Sequence, residues 1–333
     1  MKNCKSEEKI YYELPDILRQ YQKLRIAVHL HIFYTDLISE FVEYMGNIPI
    51  PFDLFISIPE TISVNEQKVR TQFKALANVL TIVIERTPNR GRDIAPILCT
   101  FGQVLQGYDV LLHLHTKKTP HDSNKEGWRR YILEHLLGSK DMVGRILTAL
   151  SDGIGAVCPP DFLFNIPTDG WSHPQNIQEA QKVAERCGLG INLQSDYPSV
   201  DFPQGSMLWT RVDYIEKMFK TALQYEDFPP EPIPVDGTIA HALERMFFLW
   251  GANSSMKVVK LYHSHSELIF ADYARQVYLA YANAMEAKDK QLELSDARNR
   301  KYKRWFRLLI WLSVIQTILL VLILTLFILK ANI

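Results

Sequence analysis

Four short segments concentrate the side chains able to do polar chemistry. The first is Glu85-Arg-Thr-Pro-Asn-Arg-Gly-Arg-Asp-Ile-Ala-Pro96. Gly91, just after Asn89, permits a tight turn or the close approach of a ligand. Arg90 and Arg92 offer forked donors that match phosphate, and Asp93 is placed to cap a following helix. An ordinary capped turn with solvated arginines explains the same residues. The second segment is His113-Leu-His-Thr-Lys-Lys118. In a strand, alternation puts His113 and His115 on one face, and with Lys117 and Lys118 they can neutralise and hydrogen-bond a diphosphate. A metal site is the competing reading, but adjacent lysines repel a cation and no carboxylate follows before Asp122.

The third segment, Phe202-Pro-Gln-Gly-Ser-Met-Leu-Trp-Thr-Arg211, is a turn followed by a short apolar run. Gly205, Ser206 and Trp209 suit a sugar pocket, since sugars stack on aromatic faces; a loop packed on the core fits equally well. The fourth, Val235-Asp-Gly-Thr-Ile-Ala-His-Ala-Leu-Glu-Arg245, puts Asp236 at a helix start. His241, Glu244 and Arg245 then share one helix face. Asp236 reads as a carboxylate base with orienting partners behind it, or as an N-cap beside a solvated salt bridge.

These segments need a scaffold, and the apolar runs describe one. Ile26–Phe33, Phe52–Ile58, Val79–Ile84, Tyr108–His115 and Ile154–Cys158 read as buried strands, because near-continuous Val, Ile and Leu marks parallel strands covered on both faces. Leu37–Tyr44, Asn65–Ala77 and Ala95–Leu105 read as helices between them. Alternating strand and helix predicts an α/β sheet of Rossmann type flanked by helices, with function at the C-terminal strand ends. Beyond Pro159 the pattern weakens, with helices expected at Gln178–Arg186, Val212–Phe219 and Gly237–Trp250. Residues 267–304 read as one long Ala- and charge-rich helix.

The chain has 333 residues, 47% of them hydrophobic, and a formal net charge of zero. That supports a sizeable core and, with no basic stripe, argues against a nucleic-acid partner. Cys4, Cys99, Cys158 and Cys187 lack CxxC spacing and read as free thiols of a reducing compartment. Leu308 to Leu329 carry no charge; as a helix they span about 33 Å, enough for a hydrocarbon core of about 30 Å. Arg298, Arg300, Lys301, Lys303, Arg304 and Arg307 stand ahead of this stretch and only Lys330 behind it. The positive-inside rule therefore predicts a single-pass C-terminal anchor with the long N-terminal part in the cytoplasm. Trp305 and Trp311 suit the interface, and the basic cluster suits anionic lipid. The expected organisation is a lead-in over 1–22, an α/β domain over 23–262, a helical stalk over 263–304 and a membrane anchor over 305–333.

Taken together the segments resemble the rhamnan synthesis protein F family. The resemblance rests on His-Leu-His-Ile-Phe-Tyr at His29 to Tyr34, Asn-Arg-Gly-Arg-Asp-Ile-Ala-Pro at Asn89 to Pro96, the strand ending His-Thr-Lys-Lys at Lys118, the Phe202 to Arg211 segment, and Asp-Gly-Thr-Ile-Ala-His-Ala-Leu-Glu-Arg at Asp236 to Arg245. It covers roughly residues 20 to 255 with five motifs in order. A looser resemblance is to GT-A glycosyltransferases, in which an Asn-x-Gly turn follows the third strand and the next strand ends in a metal-holding Asp-x-Asp. Here the turn is Asn89-Arg-Gly91, but His115-Thr-Lys117 occupies the Asp-x-Asp place.

The resemblance implies a GT-A-like mixed sheet and a glycosyltransferase of polysaccharide or O-antigen synthesis. The expected reaction moves L-rhamnose from a nucleotide sugar, dTDP-L-rhamnose, to a glycan on a polyprenyl diphosphate lipid at the bacterial inner membrane. Asp236 would be the base. His31, Asn89, Arg90, Gly91, Arg92, Asp93, His113, His115, Lys117 and Lys118 would face the donor diphosphate. Gly205, Ser206, Trp209, His241, Glu244 and Arg245 would line the acceptor and sugar pocket. The lysines would replace the missing metal ligands, so no cofactor is required, although a divalent metal stays open. The rival reading is a non-catalytic scaffold or glycan-binding subunit working with other polysaccharide assembly enzymes. No P-loop, Gly-x-Ser-x-Gly or Ser-x-x-Lys motif supports phosphoryl or acyl transfer.

Overall fold

The apolar runs become strands because helices cover both faces of the sheet they form. A computed structural model describes residues 19–116, 118, 127–162, 170–292, 310–316 and 318. Its strands are β1 (Ile26–His31), β2 (Phe52–Pro59), β3 (Val79–Thr87), β4 (Val110–His115), β5 (Ile154–Cys158), β6 (Leu208–Arg211) and β7 (Lys257–Lys260). They make one mixed sheet in the order β3-β2-β1-β4-β6-β5-β7. β6 is antiparallel to β4 and β5, and every other pairing is parallel. The C-terminal ends of the six co-directional strands therefore lie along one edge. The Gly205-Ser206 turn, which enters the reversed β6, reaches the same edge.

The helices are α1 (Ile38–Met45), α2 (Glu66–Lys74), α3 (Gly102–Leu105), α4 (Trp128–Leu137), α5 (Lys140–Ser151), α6 (Pro174–Arg186), α7 (Leu193–Asp196), α8 (Glu216–Phe219), α9 (Ile239–Met246) and α10 (His265–Leu292). Strand alternation sorts them into two layers. Ile26, Val28 and Leu30 of β1 pack with Phe41, Leu133, Leu136 and Ile146, from α1, α4 and α5. Ala27, on the opposite face, packs with Phe55, Leu111, Ile97, Ala180, Leu243 and Phe247, which brings in α6 and α9. His29 and His31 share the parity of Ala27, so this second face carries an inlay of polar side chains within an apolar layer.

The five expected strands form within three residues of their predicted limits. β6, β7, α4, α5 and α7 are additional. The expected helix Ala95–Leu105 is interrupted by a wide π-type turn over Pro96–Thr100 before α3. Val212–Phe219 is helical only from Glu216, because Val212, Tyr214 and Ile215 are drawn into the core by the loop leaving β6.

The chain divides into two compact units, Met1–Gln276 and Val277–Ile333. Among the described residues no helix is long and apolar enough to cross a membrane. The apolar stretch Leu308–Leu329 lies outside the described residues apart from 310–316 and 318, which are helical. The expected stalk is helical over His265–Leu292, and 293–304 lie outside the described residues.

Candidate functional site

Parallel register brings the ends of β2, β1 and β4 level, with Ser57, His31 and His115 abreast. One step inward His29 lies opposite His113. These side chains form a continuous buried chain. His31 Nδ1 lies 2.8 Å from Ser57 Oγ, and Ser57 Oγ 3.0 Å from His29 Nε2. His29 Nδ1 lies 2.9 Å from His113 Nδ1, and His113 Nε2 3.0 Å from Asp93 Oδ2. Ser206 Oγ donates to the same Asp93 oxygen at 2.5 Å. His29, Ser57 and His113 have no solvent exposure, and Asp93, His31 and Ser206 very little. The His29 and His113 rings stack at 5.0 Å, with Phe101 and Phe247 beyond them.

Two tight turns deliver the Asp93 end of this chain. Gly91 and Arg92 both adopt positive φ, as do Gly205 and Ser206. A Cβ on Gly91 would stand 2.5 Å from both Ala95 Cβ and Phe228 Cδ1, so only glycine fits there. Non-glycine residues at positive φ carry strain, which commonly gathers at functional sites. Here Arg92 and Ser206 accept it, and Asp93 and Ser206 meet as a result.

Electrostatics follow from burial. Desolvation holds His29 well below the usual imidazole range, and the neighbouring His113 adds to it. Desolvation likewise lowers His31 to about 3. Burial by itself would raise Asp93, but His115, His113 and Ser206 outweigh it and hold the carboxyl well below its usual range. His241 is lowered to about 4, first by burial and then by the Arg92 guanidinium. The site therefore holds a buried anion, and His29 and His31, lowered by burial, offer a diphosphate no charge near neutral pH.

This sets the protein's acid stability. The folded pKa of His29 and of His31 lies below the unfolded value of about 6.5, so the unfolded chain binds more protons between about pH 6.5 and 3. Their contribution is complete above pH 6.5 and is lost as pH falls toward 3. Two extra protons correspond to a slope of about 2.7 kcal/mol per pH unit near pH 5, and His241 adds in the same direction. Urea unfolding at pH 7, 6, 5 and 4 should show stability flat and then falling steeply. Stability that rises on acidification would contradict neutral burial.

A second cluster adjoins the first. Asp236 Oδ2 accepts from Arg245 Nη2 at 3.0 Å, and its Oδ1 accepts from Asn176 Nδ2 and the Gly237 N–H, both at 2.8 Å. The Asp236 side chain keeps 25% exposure, against 7% for Arg245. Arg245 also donates to the carbonyls of Gly170, Trp171 and His241 and lies 5.0 Å over the Phe202 ring. The helix start expected at Asp236 falls two residues later: Thr238 caps α9 in a capping box with His241. His241 stands 3.9 Å from Asp236 and 3.2 Å from Arg92 Nη1, which joins the clusters. Glu244 accepts from the Gly205 N–H at 2.8 Å, and Gly205 O lies 2.7 Å from His115 Nε2.

Most of the expected site residues thus meet at one edge, but several take other duties. Asp93 caps no helix; its oxygen is spent on His113 and Ser206. His113 is enclosed with both ring nitrogens engaged, out of a ligand's reach. Trp209 is fully buried and its Nε1 donates to Leu136 O, so it is core and no sugar platform. Arg90 donates to Phe228 O, and Lys118 pairs with Asp36 at 2.5 Å beside the Tyr34 ring. Arg92 is 44% exposed, 3.6 Å from Glu231. Asn89 is half-buried in its turn, and Lys117 lies outside the described residues. His29, Ser57 and Asn176 were not singled out; the parity of His29 with His31 was the available signal. Among the described residues no group of three or more His, Cys, Asp or Glu side chains is arranged to hold a metal ion.

The motifs that meet here have counterparts elsewhere. A family model described as "Rhamnan synthesis protein F" matches residues 7–256. A protein named "Uncharacterized protein WxcX", from Xanthomonas campestris pv. campestris strain B100, is 28% identical over 249 residues, 73% of this chain and 34% of that protein. The protein of the same name in a second strain matches at the same identity and coverage. The chain spans about a third of the length of these relatives.

Proposed function

Since the chain belongs to the rhamnan synthesis protein F family, we propose that it is a membrane-anchored glycosyltransferase of polysaccharide synthesis, moving L-rhamnose from dTDP-L-rhamnose to a glycan on a polyprenyl diphosphate lipid. The observation that carries this reading is the convergence of the family-like motifs on one strand edge. Residues 31, 93, 115, 205, 206, 236, 241 and 244 come from distant segments and meet in adjoining hydrogen-bonded clusters at the end of the sheet where open α/β folds take ligands. The mixed sheet and the Asn89-Arg-Gly91 turn after β3 support a GT-A-like assignment.

In this reading Asp236 removes the proton of the acceptor hydroxyl while that oxygen bonds to the sugar carbon and the nucleoside diphosphate leaves with its electron pair. Arg245 and Asn176 orient the carboxylate, and its remaining exposure leaves it open to an acceptor. Charge on the leaving diphosphate falls to Arg92 and the lysines after β4. Preorganised donors aimed at developing charge are commonly the largest catalytic contribution. The apolar stretch 308–329 would hold the enzyme at the cytoplasmic face of the inner membrane, beside its lipid-linked acceptor.

The competing reading is a non-catalytic subunit that binds glycan or a partner enzyme. It draws on Arg90 and Lys118, whose charged groups are engaged within the protein. The full chain in lipid, given labelled dTDP-L-rhamnose and a polyprenyl-diphosphate-linked acceptor with and without EDTA, separates the two. Transfer in both conditions supports a metal-independent enzyme, and transfer abolished by EDTA keeps the enzyme but assigns a metal to its diphosphate. No transfer from any nucleotide sugar favours the subunit.

A further inference from the structure

Four prolines fall within Pro229-Pro-Glu-Pro-Ile-Pro-Val-Asp236. Proline has no backbone N–H and a fixed φ, so such a run joins neither helix nor sheet interior and behaves as a semi-rigid strap. Buried residues hold it at both ends, Phe228 before it and Thr238 after it. Between them Pro230, Pro232, Pro234 and Val235 are exposed. The strap runs directly into Asp236.

It lies on the turn after β3, where three successive residues meet it. Arg90 forms a backbone bridge with Pro230, and its Nη1 donates to Phe228 O at 3.2 Å. At Gly91 the missing Cβ leaves the space that the Phe228 ring fills. Arg92 Nε stands 3.6 Å from Glu231 Oε1. The Ile233 N–H donates to the other Glu231 oxygen at 3.0 Å, which steadies the carboxylate in front of the guanidinium. From the α9 side, His241 Nε2 lies 3.2 Å from Arg92 Nη1. The contact between Arg92 and Glu231 is too long for a hydrogen bond, and the two side chains keep 44% and 26% exposure. An ion pair of this kind is held loosely.

Carboxylate and phosphate present a guanidinium with the same kind of paired oxygens. We propose that Glu231 is a resident counter-anion, holding the place on Arg92 that a diphosphate ester takes, and that the strap over 229–235 is a latch which this ligand opens. The inference rests on the glycosyltransferase reading, in which Arg92 meets the leaving diphosphate. A diphosphate carries more charge than a carboxylate and bonds a guanidinium through two oxygens, so it wins the exchange. A singly charged anion offers no more than Glu231 already does and is kept out.

The test is a calorimetric titration of the full chain with dTDP and with geranyl diphosphate, at low salt, where exposed charges are least screened. Glu231→Gln keeps the length of the side chain and removes its charge. It should tighten binding about three- to fivefold, close to the full worth of an exposed ion pair. The same substitution in an Arg92→Ala background should bring no gain, because the cycle isolates the pair. Glu226→Gln, at an exposed position on the turn ahead of the strap, should bring none either. A gain with dTDP assigns the anion to the sugar donor, and a gain with geranyl diphosphate only assigns it to the lipid acceptor. Thermal melting checks that each variant is folded; should Glu231→Gln not fold, Glu231→Asp, whose carboxylate is set back by one methylene, decides by the same cycle. A gain that persists without Arg92, or no gain in protein that binds dTDP, overturns the latch and leaves the transferase standing. No binding of either diphosphate overturns the role of Arg92 in the donor reading and this inference with it.

Discussion

Asp93→Ala should lower stability by about 2–6 kcal/mol, because it leaves two buried donors without an acceptor. Asp93 is the sole anion of the histidine chain and the acceptor for two buried donors, His113 Nε2–H and the Ser206 hydroxyl. Alanine leaves both without a partner, at about 1–3 kcal/mol each. Combining Asp93→Ala with His113→Phe should cost clearly less than the sum of the single changes, since coupled sites are not additive. Urea unfolding of the four proteins measures both quantities. Stability within 1 kcal/mol of wild type for Asp93→Ala, an amount about that of an average substitution, would show that the chain is not a structural keystone.

Asp236→Asn should reduce sugar transfer by about 10²–10⁴, the usual contribution of a general base. The substitution keeps the shape of the side chain and removes its basic oxygen. Arg245 loses its ionic partner but still donates to the carbonyls of Gly170, Trp171 and His241, so the variant should remain folded. Donor affinity should change little, because the base acts on the acceptor, and the fall should appear in kcat. Asn176→Ala removes a donor to Asp236 Oδ1 and makes no direct contact with acceptor in this reading. It should bring a smaller fall together with a shifted pH profile. Full activity in a folded Asp236→Asn protein would remove the base assignment and move the weight to Glu244 or to the non-catalytic reading.

Local pattern carried a large part of this protein. Strands β1 to β5 and helices α1, α2, α6 and α9 are legible as runs of Val, Ile and Leu and as amphipathic spacing, because an element that must bury a face declares it within a dozen residues. Gly91 and Gly205 announce turns, and the ordered motifs announce a family. The short β7, Lys257-Val-Val-Lys260, offers too few residues for a period to show. α4 and α5 follow a polar stretch that hides their common layer.

The duties of the polar residues were decided elsewhere. Asp93 stands just ahead of a helix and reads as its cap, yet in the fold its carboxylate turns to His113, twenty residues on, and to Ser206. Trp209 reads as a sugar platform and is core, because β6 lies between β4 and β5. His29, His31, His113 and His115 share faces by alternation, but nothing local says that β1 pairs with β4 in register, which is what lets three of these histidines join one hydrogen-bonded chain. Sequence by itself determined which segments are strands, where the backbone must turn tightly, and which polar residues are present to be used. Only the tertiary structure decided which are sealed from solvent, which remain exposed, and which partners they meet. Those properties depend on desolvation and on pairing across some 84 positions of chain, and short-range periodicity carries no record of either.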